Sequence, residues 1–172
     1  MSLAARPGNF GTRFHNFLYR ELSLNFIYKA FTTRDLAAAM GGIRALGIRG
    51  CAVSMPFKEA CIEYLDELDA SAKGIMSVNT IVNTDGYLKA YNTDYTAVSE
   101  LLGSSGIPSS ADFALRGSGG MAKAVACALR DAGFANGLIV ARNEAAGTAL
   151  AQQYGFQWKK ELTGETPGLL IN

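Results

Sequence analysis

"DFALRGSGGMAKAVACAL", residues 112–129, decides the fold. Phe113-Ala114-Leu115 reads as a buried strand. The run from Gly120 onward places Ala122, Val125, Ala126 and Leu129 on one inward face of a helix. Between them stands Gly117-x-Gly119-x-x-Ala122. Gly117 permits the tight turn, Gly119 lets a pyrophosphate approach the backbone, and Ala122 allows close packing of helix on sheet. The free N–H groups of the helix start then face an anion. A G-x-G-x-x-G/A match alone is weak in a chain with 19 glycines, and an ordinary strand-to-helix turn is the plain alternative. The strand before it and the helix after it point to a dinucleotide, with Gly117, Ser118, Gly119, Gly120, Met121 and Ala122 as the cradle.

The next strand bears on which dinucleotide. A site for NAD usually carries Asp or Glu at that strand's end to bind the ribose 2′-OH, whereas "LIVARNE" ends in Ala141-Arg142-Asn143. A guanidinium can hold a 2′-phosphate through paired charge-assisted hydrogen bonds and stack on adenine, so Arg142 with Asn143 favours NADP. A solvated arginine in a loop, next to Glu144, is the alternative.

Working outward, strands at 112–116 and 138–141 alternate with helices at 120–132 and 144–154. A strand near "FQWK" and the segment "GLLIN" follow, which is the start of a parallel, doubly wound sheet. Toward the N-terminus, Thr12 can cap a helix with a stripe of Phe14, Phe17, Leu18 and Leu22, and "LNFIYKAF" reads as a strand. Leu36, Ala39, Met40 and Ile43 mark a second helix ending at Gly47, and "IRGCAVS" a strand. "MSVNTIVN" and "YLKAYN" flank Asp85-Gly86, a hairpin-turn signal, before a helix over 93–102. The only Gly/Ser/Pro-rich stretch, "GSSGIPSSAD", lies between two self-sufficient α/β patterns. It divides the chain into an α/β lobe over 1–102 and a Rossmann-type lobe over 103–172.

With 49% hydrophobic residues and a formal charge of +1, the chain is globular and has no basic field for nucleic acid. Cys51, Cys61 and Cys127 form no Cys-x-x-Cys pair and have no nearby His. Neither a disulfide framework nor a metal site is expected, and a reducing cytoplasm is the simplest setting. No apolar run is long enough to span a bilayer, and no secretory signal opens the chain.

"RGCAVSMPFKEA", residues 49–60, leaves its strand through Pro56, which cannot donate to a ladder, and sets Lys58 where a helix begins. Open α/β sheets hold ligands at such strand ends, so Lys58 is either a group that does chemistry or a surface charge. Asp94 after Thr93 suits a helix start, and Asn79 suits either a ligand contact or a local turn. His15, Tyr28, Tyr91 and Trp158 are read as packing residues.

"FHN…LNFIYKAF", "IRGCAVSMPFKEA", "SVNTIVN.DGYLKAYNTD", "GSGGMAKAV" and "ARN", in this order, resemble the shikimate dehydrogenases, and within them the shikimate dehydrogenase-like branch. The resemblance implies an N-terminal substrate lobe, a C-terminal NADP lobe, and reversible reduction of 3-dehydroshikimate to shikimate or of a related, quinate-like cyclic hydroxy acid. By motif position it implies Lys58 and Asp94 as catalytic, Asn79 as substrate-binding, and Gly117 to Gly120 with Arg142 as cofactor-binding. It further implies a longer chain that completes the nucleotide sheet and adds a closing helix.

Where the family motif places Asn and Thr before its lysine, this chain has Ala52 and Ser54. The family's S-x-S-P-x-x-H is here Asn9-Phe10-Gly11-Thr12-Arg13-Phe14-His15. Asn9, Thr12 and Ser54 are then the donors left for a substrate carboxylate, and the changed set opens the choice of substrate. A nucleotide-binding sensor or inactive relative is the competing function.

Overall fold

The computed structural model describes residues 1–164 and 166–172. The chain divides into two compact units, Met1–Asn92 and Thr93–Asn172. Among the described residues no helix is long and apolar enough to cross a membrane.

Unit 1 is built on a six-stranded mixed sheet. Its strands are β1 (Ser2–Leu3), β2 (Ala30–Phe31), β3 (Gly50–Val53), β4 (Glu67–Leu68), β5 (Thr80–Thr84) and β6 (Tyr87–Tyr91), in the order β2-β1-β3-β5-β6-β4. β1 runs parallel to β2 and β3, while β3, β5 and β6 form an antiparallel meander. Along β5 and β6 burial alternates, with Ile81, Asn83, Leu88 and Ala90 inward, as a sheet with one covered face requires. The turn between them has both Asp85 and Gly86 at positive φ, 51° and 90°, the geometry that matches the twist of the two strands. Helices α1 (Phe10–Glu21), α2 (Leu36–Ala45), α3 (Phe57–Ala60) and α4 (Ala70–Lys73) complete the unit. Met40 and Ile43 of α2 enter the core with Leu3, Val53, Ile81 and Leu88. Burying side chains of this size stabilises the fold by about 1.5–3 kcal/mol each.

Two expectations are corrected here. Asn9, not Thr12, is the N-cap of α1, because Arg13 N–H already bonds the Asn9 carbonyl and places Thr12 within the helix. The helix buries none of its residues; Phe14 and Phe17 remain 47% and 49% exposed. Of "LNFIYKAF" only Ala30–Phe31 is a strand. The Asn16 side chain supplies what a neighbouring strand would, accepting from Tyr28 N–H and donating to Tyr28 C=O, both at 2.8 Å.

Unit 2 opens with α5 (Thr93–Ser104) and contains β7 (Phe113–Arg116), α6 (Gly120–Asp131), β8 (Gly137–Val140), α7 (Glu144–Tyr154), β9 (Gln157–Lys159) and β10 (Leu169–Ile171). The four strands are all parallel, in the order β10-β7-β8-β9. Chain order therefore reverses between β7 and β10, which makes that crevice the topological switch point. Phe113, Ala114 and Leu115 are consecutively buried, as in a parallel strand covered on both faces. The division falls before α5 and not in the Gly/Ser/Pro-rich stretch, because α5 packs on α6.

Candidate functional site

In unit 1 the strand registers collect the singled-out residues at one sheet edge. Leu3 is opposite Val53, Ala52 is opposite Thr80, and Thr80 is opposite Tyr91. The ends of β1, β3 and β6 and the start of β5 therefore lie together. From this edge leave the segment carrying Asn9 and Thr12, the segment Ser54–Lys58, and Asn79 just before β5. The backbone of Lys58 is tied to the residue before Asn79, and that of Asn79 to the end of β3: Val78 N–H donates to Lys58 C=O at 2.8 Å, and Val53 N–H to Asn79 C=O at 2.8 Å. Asn79 Oδ1 accepts from Thr80 Oγ1 at 2.9 Å. Ser54 is exposed at the end of β3, and Lys58 is half-buried in α3. Asn9 and Thr12 line a separate groove of about 1040 Å³ along α1, with Phe10, Arg13 and Phe14.

Sequence reasoning overlooked the residues that hold this edge in place. Asn92 is 1% exposed, donates from Nδ2 to Ser77 C=O at 2.9 Å, and donates its backbone N–H to Ser71 Oγ at 3.0 Å. It thereby fixes the segment 77–79 that leads through Asn79 into β5. A buried polar residue costs stability unless bonded, and Asn92 is bonded at both ends. The signal was the Asn between an apolar strand and a helix start. Cys61, beneath Lys58, donates its thiol to Lys58 C=O at 3.8 Å; burial pushes that thiol up to about 12, so it is no nucleophile at neutral pH. His15 stacks on Tyr28 at 4.3 Å between ring centres, a packing contact.

Asp94 belongs to unit 2, in the first turn of α5. That turn is anchored by the next residue: Tyr95 Oη donates to Asp131 Oδ2 at 2.8 Å, joining the start of α5 to the end of α6. The opposite end of α6 is the glycine turn.

Gly117 has φ +112°, a conformation that excludes side chains, and its N–H bonds Val140 C=O at 2.9 Å, so the chain turns immediately past β7. Gly119 is different. Its φ of −85° suits any residue, and nothing lies within 4 Å of where a Cβ would stand. Neither backbone nor packing demands glycine there; the space it keeps open lies outside the chain. Gly119 is also the N-cap of α6 and makes no side-chain cap bond, leaving the first-turn N–H groups for an anion. Ala122 is 7% exposed, and Met121 beside it is 54% exposed. Beyond the strand ends lies a groove of about 910 Å³ lined by Gly117, Ser118, Arg142, Asn143, Lys160 and Asn172 among others. These residues fit a dinucleotide. Asn143 has a structural duty as well: it caps α7, accepting from Ala146 N–H at 3.1 Å.

Comparison with known proteins adds the following. The family model of the shikimate dehydrogenase substrate binding domain matches residues 10–81. A shikimate dehydrogenase-like protein of Haemophilus influenzae is 54% identical over 172 residues, covering 100% of this chain and 64% of that protein. A shikimate dehydrogenase (NADP(+)) of Moorella thermoacetica is 43% identical over 140 residues, covering 80% of this chain and 48% of the relative. The solved shikimate 5-dehydrogenase of Thermus thermophilus, in complex with NADP(H) and shikimate, superposes with a TM-score of 0.77 at 30% identity, over 92% of this chain and 61% of that one. The chain thus spans less than two thirds of each relative's length.

Proposed function

We propose that the chain is a member of the shikimate dehydrogenase family and, on that premise, part of an NADP-dependent oxidoreductase acting on shikimate or a related cyclic hydroxy acid. The observation that carries the reading is Gly119, a glycine that the fold itself does not require, at the mouth of α6 and beside a groove at the carboxyl ends of a doubly wound sheet. Bound NADP would supply the acceptor for a hydride from the substrate carbinol carbon. Gly117 to Ala122 would hold its pyrophosphate, and Arg142 with Asn143 its adenosine end.

Oxidising a carbinol also requires its hydroxyl to lose a proton. In this reading Lys58 stabilises alkoxide character on the oxygen and relays the proton, and Asp94 is the carboxylate assigned to the same step. Asn79 orients a substrate hydroxyl, and Asn9, Thr12 and Ser54 are the donors for its carboxylate. The hydroxyls the family usually offers there are altered, and each lost charge-assisted hydrogen bond weakens binding by about 1.5–3 kcal/mol, so shikimate itself is expected to show a high KM.

The test is a steady-state assay of the full-length protein with NADP and a panel of cyclic hydroxy acids. Lys58→Ala is expected to lower kcat by roughly 10²–10⁴-fold with NADP affinity retained, and Asp94→Asn to act on the same step, so that the double variant is less than additive. Tight NADP binding without turnover of any hydroxy acid would favour a nucleotide sensor. Wild-type kcat in Lys58→Ala would return that lysine to the surface.

A further inference from the structure

We propose that Lys160 is a second cation for the nucleotide's 2′-phosphate, acting beside Arg142. This rests on the reading of unit 2 as an NADP lobe and extends it to a residue that neither the glycine turn nor the strand-end arginine points to. β8 and β9 are parallel with Val140 opposite Lys159, and Ala141 N–H donates to Lys159 C=O at 3.1 Å. Continuing that register sets Lys160 level with Ala141, so Arg142 and Lys160 leave adjacent strand ends one residue apart in register, with the strands themselves about 4.8 Å apart, and both line the same groove. Strand alternation separates the two neighbouring lysines. Lys159 lines a different cavity with Gln157 and Asp112, whereas Lys160 lines the groove that contains Gly117, Ser118 and Arg142.

The strand ends are also locked together. Trp158 Nε1–H donates to Ala141 C=O at 3.1 Å, so the residue before Lys160's neighbour and the residue before Arg142 are joined by a side-chain bond across the two strands. Among the described residues neither Arg142 nor Lys160 has a hydrogen-bond or ion-pair partner. Both are exposed.

The chemistry favours a pair of cations. A phosphate monoester near neutral pH carries close to two charges and three acceptor oxygens. An arginine fork engages two of those oxygens, and a lysine ammonium on a flexible stem can take the third as a point charge. Glu161 lines the same groove. With that carboxylate on the groove, Arg142 alone would leave little net positive charge for a dianion; Lys160 corrects that balance. The opposing outcome is built into the same residues, because Glu161 is a carboxylate suited to a ribose 2′-OH.

The experiment titrates the full-length protein with 2′,5′-ADP and, separately, with 5′-AMP, at low ionic strength, following Trp158 fluorescence and confirming by calorimetry. The unmodified protein is expected to prefer 2′,5′-ADP. Lys160→Gln should weaken 2′,5′-ADP roughly five- to tenfold and change 5′-AMP by less than about twofold, since a lost exposed charge-assisted contact is worth about a factor of ten at most. Lys159→Gln should do neither, and Glu161→Gln should tighten 2′,5′-ADP. If the parent prefers 2′,5′-ADP and Lys160→Gln leaves that preference intact, or weakens both probes alike, the role of Lys160 is refuted while the NADP reading stands. If the parent shows no preference for 2′,5′-ADP, or binds neither probe, the NADP reading falls and takes Lys160 with it.

Discussion

Gly147→Ala tests the packing that sets the end of β8. Gly147 lies in α7, and a Cβ built on it would meet Trp158 Nε1 at 2.3 Å, Trp158 Cδ1 at 2.4 Å and the Ala141 Cβ at 3.0 Å. The indole must move, and it cannot do so while keeping Nε1–H on Ala141 C=O. Overpacking costs about 1–3 kcal/mol and the lost hydrogen bond about 0.5–1.5, against a gain of about 1 from replacing a helical glycine, so the net destabilisation is about 0.5–3.5 kcal/mol. Trp158 is the only tryptophan. Urea unfolding followed by its emission and, in parallel, by circular dichroism measures both the loss of stability and the displacement of the ring. The native emission of the variant should already lie to the red of the parent's. A variant as stable as the parent, with the same native emission, would mean that the indole does not rest on Gly147 and that nothing pins the backbone before Arg142.

Two further predictions concern unit 1. Asp66 accepts from Arg44 Nη1 and from Leu88 N–H, each at 2.6 Å, and the Arg44 hydrogen bond, followed by that of Leu88, holds its carboxyl below the usual aspartate value. A depressed pKa contributes stability that is complete above the unfolded-chain value and is lost as pH falls toward the folded one. Asp66→Asn should therefore lower stability at neutral pH and flatten its decline in acid; chemical denaturation across the acid range gives both slopes, and identical slopes would remove Asp66 from the account. Cys51 and Cys61 are 1% and 0% exposed, and burial pushes their thiols up to about 11 and about 12. Iodoacetamide at mildly alkaline pH should modify them only as fast as the protein opens, and rapid labelling in the native state, read by mass spectrometry, would contradict this.

The legible parts of the sequence were those whose signals are local. Asp85-Gly86 specified its turn because only residues tolerant of positive φ fit it. The alternation of helices and strands from Phe113 to Trp158 was visible because each element carries its own periodicity. "LNFIYKAF" misled because β-suited composition says nothing about whether a partner strand is present. Here the backbone at Tyr28 is satisfied by one asparagine side chain twelve residues earlier. β1 was invisible because two residues cannot display a pattern. At the candidate site, Lys58 and Asn79 are singled out by their motifs, whereas Asn92 and Tyr95 act through partners that only the tertiary structure supplies. Glu165 lies outside the described residues.

β1 has a bearing on how the chain assembles. Ser2 and Leu3 sit inside the six-stranded sheet, hydrogen-bonded to β2 on one side and to β3 on the other. Only β5 and β6 pair through a local turn; β3 must reach β5 from Gly50 to Val82, and β1 must find partners on both sides, at Ala30–Phe31 and at Ala52–Val53. Closing such loops is entropically costly before the pairing rewards it. The middle of the sheet is thus completed late, and until then β2 and the adjoining rim of β3 are bare backbone edges. A nascent chain stalled at that stage offers the surface that chaperones shield and that neighbouring chains pair with, so refolding yield should fall with protein concentration well before native stability does.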